Sequence, residues 1–216
     1  MSGMAVEFDR DDDVFMLETD RLLLRGWHED DLHDWIDMNA DPAVRQYFPS
    51  VQSPEKSVEQ ALEFQDELVS TGFGLWAAEI KESVPYMDDR GKAALLPPAT
   101  FIGFIGLHPL PQEVPSMTDG TRIQYEIGWR LAKEAWNQGL ATEGARAVRD
   151  YAFGIERLPT LGSYTTAANA PSRRVMEKIG LHLECTFTHP ALPEAQKDCV
   201  LYAMDHHEWQ LTNQGI

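Results

Sequence analysis

Apolar positions along this chain recur at two periods. In 28–39 the residues Leu32, Trp35 and Ile36, and in 53–69 the residues Ala61, Leu62, Phe64 and Leu68, repeat at helical spacing. That spacing lines one face of a helix. Asp41-Pro42 breaks the first segment. Ser53-Pro54-Glu55 opens the second with a capping hydroxyl and a proline in the first turn. Short runs rich in branched and aromatic residues read as strands at 21–27, 73–81, 100–107, 121–131, 161–166, 181–188 and 198–205. Helices starting at Thr142 and Ala170 fall between the later strands. The order is mixed α/β, with no internal repeat and no linker that marks a second domain.

Two connections are long. Segment 82–99 holds Pro85, Asp88, Asp89, Gly91, Pro97 and Pro98 and reads as a flexible surface insertion. Segment 108–120 is proline-rich, with Pro109, Pro111 and Pro115. Residues 1–16 read as an acidic, frayed extension, 17–207 as one domain and 208–216 as a C-terminal tail. A chain of 216 residues is long enough for one domain with a full core.

Composition narrows the function classes. The apolar share of 43% and the charged share of 25% are those of a soluble globular protein. No run approaches the ~20 apolar residues that span a bilayer. The N-terminus lacks the basic and apolar regions of a signal peptide, so a cytoplasmic protein is expected. A formal net charge of −17 argues against nucleic acid and anionic membrane as partners and is compatible with a cationic acceptor. Solubility explains the excess acid as readily. Cys185 and Cys199 lack metal spacing, fall in strand-like runs and read as packed thiols. His28, His33, His108, His182, His189, His206 and His207 make no metal set, and no metal is expected. His206-His207 reads as two neighbours on opposite faces of a strand.

The most informative stretch is 134–143, Glu-Ala-Trp-Asn-Gln-Gly-Leu-Ala-Thr-Glu. A strand-like run, Tyr125-Glu-Ile-Gly-Trp-Arg-Leu131, leads into it, and a helix-like run leaves from Thr142. A strand, a glycine-containing loop and a helix start together make an anion cradle of free backbone N–H groups and the positive helix end. Gly139 allows close backbone approach, and Ala141 keeps the next contact small. A phosphate-binding P-loop needs Gly-Lys-Ser/Thr, whereas this segment reads Gly-Leu-Ala-Thr. The dinucleotide fingerprint needs three glycines, and only Gly139 is in place. An ordinary strand–helix turn would also contain such a glycine.

The segment resembles the acyl-CoA loop of the GNAT acetyltransferase superfamily, Arg/Gln-x-x-Gly-x-Gly/Ala, here Trp136-Asn-Gln-Gly139-Leu-Ala141. Trp136 departs from the pattern, at little cost to a grip made by backbone. Residues 169–181, Asn-Ala-Pro-Ser-Arg-Arg-Val-Met-Glu-Lys-Ile-Gly-Leu, resemble a second GNAT segment, and within it the ribosomal-protein N-acetyltransferase (RimJ/RimL-like) branch. Leu17-Glu-Thr-Asp-Arg-Leu-Leu-Leu-Arg25 is similar to that branch's first strand, and Tyr125-Glu-Ile-Gly-Trp129 to its fourth. The matches keep the family's order over 17–207.

The resemblance implies a GNAT fold, an α/β (α+β) mixed sheet of about seven strands flanked by about four helices, with the acyl-CoA cleft between central strands. It implies acetyl-CoA as cosubstrate and acetyl transfer to an amine, a protein N-terminus or a small molecule, by direct attack in a ternary complex. The alternative is a GNAT-fold module that binds acyl-CoA without transfer. Trp136, Asn137, Gln138, Gly139, Leu140, Ala141 and Thr142 would cradle the diphosphate. The strand Ile127, Gly128, Trp129 and Leu131 would pair with the pantetheine arm, with donors near Gly128 and Trp129 for the thioester oxygen. Asn169 resembles a residue that hydrogen-bonds the same arm, and Ser172 the acid beside the leaving thiolate; a helix cap explains Ser172 as well. Glu126 is the first candidate for the base, because it shares a strand face with Gly128; pairing with Arg122 or Arg130 is its structural alternative. His108 is a weaker candidate. Trp35, Tyr47, Phe48 and Trp76 would line an acceptor pocket or fill the core. A homodimer is compatible with the family, and no interface is readable.

Overall fold

A computed structural model describes residues 14–88, 90–118 and 121–213. The chain begins β1 (Leu17–Glu18), β2 (Leu22–Arg25), α1 (Asp31–Ala40), α2 (Pro54–Thr71) and β3 (Leu75–Ile80). A hairpin follows, β4 (Val84–Met87) and β5 (Ala93–Leu96), then β6 (Phe101–Pro109) and a short ribbon of β7 (Met117–Thr118) and β8 (Thr121–Arg122). The second half is β9 (Tyr125–Leu131), α3 (Leu140–Gly154), β10 (Thr160–Thr166), α4 (Ala170–Lys178), β11 (His182–Thr188), β12 (Asp198–Asp205) and α5 (His206–Asn213). The central sheet has eight strands in the order β1-β2-β3-β6-β9-β10-β12-β11. Of its pairings, β9 with β10 is the parallel one; the rest are antiparallel. This is one strand and one helix more than the expected frame, and the α/β class is as expected.

Alternation in β6 separates the two faces of the sheet. Phe104 packs edge-on against Trp35 of α1 at 5.8 Å and Phe64 of α2 at 5.6 Å between ring centroids. Its neighbour Ile105 faces α3, where a Cβ on Gly144 would come within 2.4 Å of the Ile105 Cδ1. So α1 and α2 cover one face and α3 the other, and Gly144 lets α3 approach closely. Trp35 and Trp76, offered as pocket residues, are fully buried core.

The helix signals hold where the cap is local. Ser53 accepts from the Lys56 N–H at 3.3 Å, and Gly72 ends α2 at φ 83°. The first helix starts at Asp31 rather than His28. Arg25 takes the buried Asp31 carboxylate through two contacts of 2.8 Å, and the same carboxylate accepts from the His28 N–H at 2.8 Å. That tertiary ion pair turns 28–30 into a lead-in.

Several expectations are corrected. Segment 82–99 is a hairpin, apart from residue 89, which lies outside the described residues. The run 121–131 breaks at Ile123, which buries itself in a small cluster with Val114, Leu201 and Ala203. The tail 208–216 is helical to Asn213, with Trp209 stacked on Phe153 at 5.7 Å. His206-His207 therefore opens a helix and does not lie in a strand. Residues 1–13 lie outside the described residues, but the end of the extension is packed. Val14 is buried, and the Phe15 carbonyl accepts from Trp76 Nε1 at 2.7 Å. Cys199 is buried and Cys185 half-buried, both free thiols whose pKa burial raises.

Candidate active site

The site begins with a defect in the sheet. β9 is paired along its full length with β6, from Gly103 opposite Leu131 to Pro109 opposite Tyr125. β10 is paired along its full length with β12. Between β9 and β10, Gly162 opposite Glu126 is the one ladder position among the described residues. Ser163 Oγ adds a bridge by donating to the Ile127 carbonyl at 2.8 Å. Each strand is held by its outer neighbour, so the two part toward their C-terminal ends and leave a wedge. Its walls offer unpaired backbone groups to any extended amide chain. Ile127, Gly128, Trp129 and Leu131 lie on the β9 wall.

At the mouth of the wedge the chain leaves β9 through a 3₁₀ turn, Lys133–Ala135, and enters α3. Asn137 at φ 60° and Gly139 at φ 80° turn the loop over, and Gly139 is the N-cap of α3. The first helical bond of α3 runs from the Glu143 N–H to the Gly139 carbonyl at 3.0 Å. Among the described residues, the N–H groups of Gln138, Gly139, Leu140, Ala141 and Thr142 have no protein acceptor. They form the donor set a diphosphate needs. The loop is held from behind: Trp136 Nε1 donates to the Leu131 carbonyl at 2.8 Å, Arg21 Nη1 to the Gln138 carbonyl at 3.0 Å, and Gln138 Nε2 to the Pro85 carbonyl of the hairpin. Leu140 is fully buried beneath it. Glu143 would place a negative charge beside the cradle, but Arg21 binds it at 2.6 Å and Thr19 Oγ1 donates to it at 2.6 Å. Burial alone would raise this carboxyl; those partners outweigh it and hold its pKa below the ordinary value.

On the β10 side, the roles of two candidates separate. Asn169 is the N-cap of α4: its Oδ1 accepts from the Ser172 N–H at 3.2 Å, and its Nδ2 donates to Thr165 Oγ1 at 2.9 Å. The capping explanation of Ser172 is therefore wrong. Ser172 is inside the first turn, and its hydroxyl has no hydrogen-bond partner among the described residues.

Glu126 lies at the closed end of the wedge, two residues from Gly128 and on the same face. The residue keeps some exposed surface, while its carboxyl is enclosed by protein. Desolvation pushes its pKa up to about 8, opposed by a hydrogen bond from the Tyr164 N–H. Among the described residues, neither Arg122 nor Arg130 forms an ion pair with it. Directly across the ladder from Glu126 stands His108, whose Nδ1 is 3.1 Å from Glu67 Oε2. The Tyr164 phenol is pushed above its ordinary value by burial and by Glu126, and its ring stacks on His189 at 5.9 Å. Phe48 lies on the connection between α1 and α2, where Arg45 and Arg130 both contact its ring. Tyr164, His189, Arg45 and Arg130 carry no motif and were missed in the sequence. Among the described residues, no group of acidic, histidine and cysteine side chains could hold a metal.

The chain as a whole has counterparts among known proteins. Residues 21–182 match the family model "Acetyltransferase (GNAT) domain". The uncharacterized protein YkkB of Bacillus subtilis is 29% identical over 171 residues, 79% of this chain and 87% of its own length. A GNAT-family acetyltransferase from Bacillus anthracis superposes with a TM-score of 0.65 at 23% identity, covering 89% of this chain and 99% of that one. RimL, a ribosomal L7/L12 alpha-N-protein acetyltransferase solved with coenzyme A, superposes with a TM-score of 0.61 at 13% identity, covering 88% and 98%. The chain belongs to the GNAT acetyltransferase family and is an acetyl-CoA-dependent acyltransferase.

Proposed function

We propose that this chain is an N-acetyltransferase that moves the acetyl group of acetyl-CoA to a primary amine by direct attack in a ternary complex. The observation that carries this reading is Glu126, a carboxyl with its pKa raised to about 8, enclosed beside Gly128 where the two strands part. A base of that strength is suited to an ammonium near neutral pH. An ammonium brought beside it stabilises the carboxylate and lowers its pKa, so acceptor binding itself prepares the base.

Acetyl-CoA supplies an activated acyl group; the chain's residues do the rest. The N–H groups of 138–142 hold the diphosphate, and the open edge of β9 aligns the pantetheine amides. Backbone donors near Gly128 and Trp129 face the developing oxyanion. Glu126 takes the amine proton, directly or through water. The uncommitted hydroxyl of Ser172 passes a proton to the departing thiolate while taking one from water, the proton on Glu126 returning to solvent, and Asn169 holds the helix start that carries it. Within the family, a ribosomal-protein acceptor of the RimJ/RimL kind is the finer reading, with a small amine beside it; the protein is read as cytoplasmic. No helix among the described residues is long and apolar enough to cross a membrane.

The test is free-thiol release from acetyl-CoA across a panel of amines and N-terminal peptides. Acceptor-dependent release is expected. An acetylated enzyme trapped on the reaction path by mass spectrometry would overturn direct attack.

A further inference from the structure

Beyond Gly128 on β9, the same strand face presents Arg130. Arg130 is 9% exposed and Arg45, on the α1–α2 connection, 7%. Both guanidinium carbons lie over the Phe48 ring, at 4.4 Å and 4.3 Å from its centroid. Arg130 also lies over Trp35 and Phe104. Among the described residues, neither arginine has a carboxylate partner. Arg130 Nη1 donates to Asn39 Oδ1 at 2.8 Å and Arg45 Nε to the Ser50 carbonyl at 2.9 Å. Among the described residues, three buried donors here have no acceptor: Arg130 Nε, Arg45 Nη1 and Asn39 Nδ2.

Buried charges are ordinarily paired, because an unpaired one loses its hydration with nothing in return. Aromatic faces offset part of that loss but leave the N–H groups unsatisfied. An arginine cannot escape by deprotonating. The Asn39 amide spends its oxygen on Arg130, and its NH₂ is left without an acceptor among the described residues. Gln52 Oε1 and Gln196 Oε1 on neighbouring loops are also without donors, but they are neutral and do not offset two charges. A group that satisfies three donors and two positive charges together is an oxyanion.

We propose that Arg45, Arg130 and Asn39 form a binding site for an anionic group, a carboxylate or another oxyanion, carried by the acceptor. The link to the acceptor rests on the N-acetyltransferase reading; the anion site itself does not. Gly128 and Arg130 are two residues apart on an extended strand, roughly 7 Å. The anionic group thus sits several bonds from the amine under attack. A polyamine, which the acidic composition alone would favour, meets two uncompensated positive charges here and is disfavoured.

The first test needs no acetyl transfer. Sodium malonate and inorganic phosphate are titrated against sodium chloride at matched ionic strength while the melting temperature is followed. Malonate, phosphate or both are expected to raise it above the chloride control, and whichever acts identifies the oxyanion. Coenzyme A is kept saturating so that the 138–142 cradle is filled, and Arg130→Gln and Arg45→Gln should each make the shift clearly smaller than in the wild type. Each should also melt, without anion, no lower than the wild type, because a strained charge has been removed. No shift in the wild type, or a shift of equal size in the wild type and both variants, overturns the site. The second test compares acceptor pairs differing by a carboxylate against its amide, in turnover and in acetyl-CoA binding. A preference for the acid of about tenfold in kcat/KM, lost in Arg130→Gln with acetyl-CoA affinity unchanged, supports the acceptor role. Equal use of acid and amide overturns that role while leaving acetyl transfer standing. No thiol release with any acceptor overturns the N-acetyltransferase reading, and the melting experiment still judges the anion site.

Discussion

The two halves of the cleft are equipped in opposite ways. At the mouth, the 136–142 loop presents backbone N–H groups, and nearby charges are neutralised: Glu143 by Arg21, with Thr19 as a further donor. On the proposed acceptor face, side chains carry the chemistry and have no counter-charge among the described residues: Glu126 is held largely protonated with no cation beside it, and Arg45 and Arg130 have no anion. A backbone cradle is indifferent to its side chains and suits a ligand that never changes. Open charges are costly in the empty protein and are stabilised when a particular partner arrives. The difference suggests that the mouth is built for a fixed cosubstrate and the acceptor face for selection.

Breaking the acceptor half should have the largest effect on chemistry. Glu126→Gln should lower turnover by about 10³-fold with acetyl-CoA affinity unchanged, read by steady-state kinetics and calorimetry. The pH dependence has a definite sign. The carboxyl must be ionised to act, so wild-type kcat/KM should rise with pH through about 8, turnover with bound acceptor should rise at lower pH, and both rises should vanish in the variant. The folded value lies above the ordinary 4.5, so the folded state binds the extra proton between these limits. Stability from this group is full below pH 4.5 and is lost as pH rises through about 8. Melting temperatures of wild type and Glu126→Gln should diverge across that window, to the wild type's disadvantage at the alkaline end.

Gly139→Asp attacks the mouth alone. A Cβ added at this position would meet only Arg21 Nη2, at 3.6 Å, so crowding is not the issue. The positive φ and the added negative charge are. Acetyl-CoA should bind about 100-fold more weakly. Gly139→Asn, which tolerates that φ and carries no charge, should lose much less; equal losses would mean that the backbone shape, and not the charge, decides binding. The smallest effects separate Ser172 from Asn169. Ser172→Ala should lower turnover about tenfold without changing the melting temperature. Asn169→Ala should remove the cap and destabilise by about 1 kcal/mol. The reverse pattern would return Ser172 to a structural role.

Legibility followed the range of the interactions. The α2 start at Ser53-Pro54 and the stop at Gly72 were readable, since cap and helix are adjacent in sequence. So was the Gly139 turn, because one residue at positive φ sits between a strand and a helix. The 82–99 hairpin was missed: its strands carry Pro85 and Pro97-Pro98 at their margins, which read as breakers. The late start of α1 was missed because the Asp31 carboxylate is held by Arg25 and the His28 N–H, which leaves 28–30 outside the helix. Glu126 was singled out from its register with Gly128, while its raised pKa depends on burial by segments far along the chain.

By itself, the sequence determined the alternation of strands and helices, the family, and the turn at Gly139 that opens α3, because periodicity, caps and a loop between adjacent elements are local. Tertiary structure decided where β9 and β10 part, which of Asn169 and Ser172 is the cap, and that Arg45 and Arg130 meet over one phenyl ring. Charge environments of this kind are set by desolvation and by distances across the fold. Arg45 and Arg130 lie 85 positions apart in the chain, and no local pattern links them.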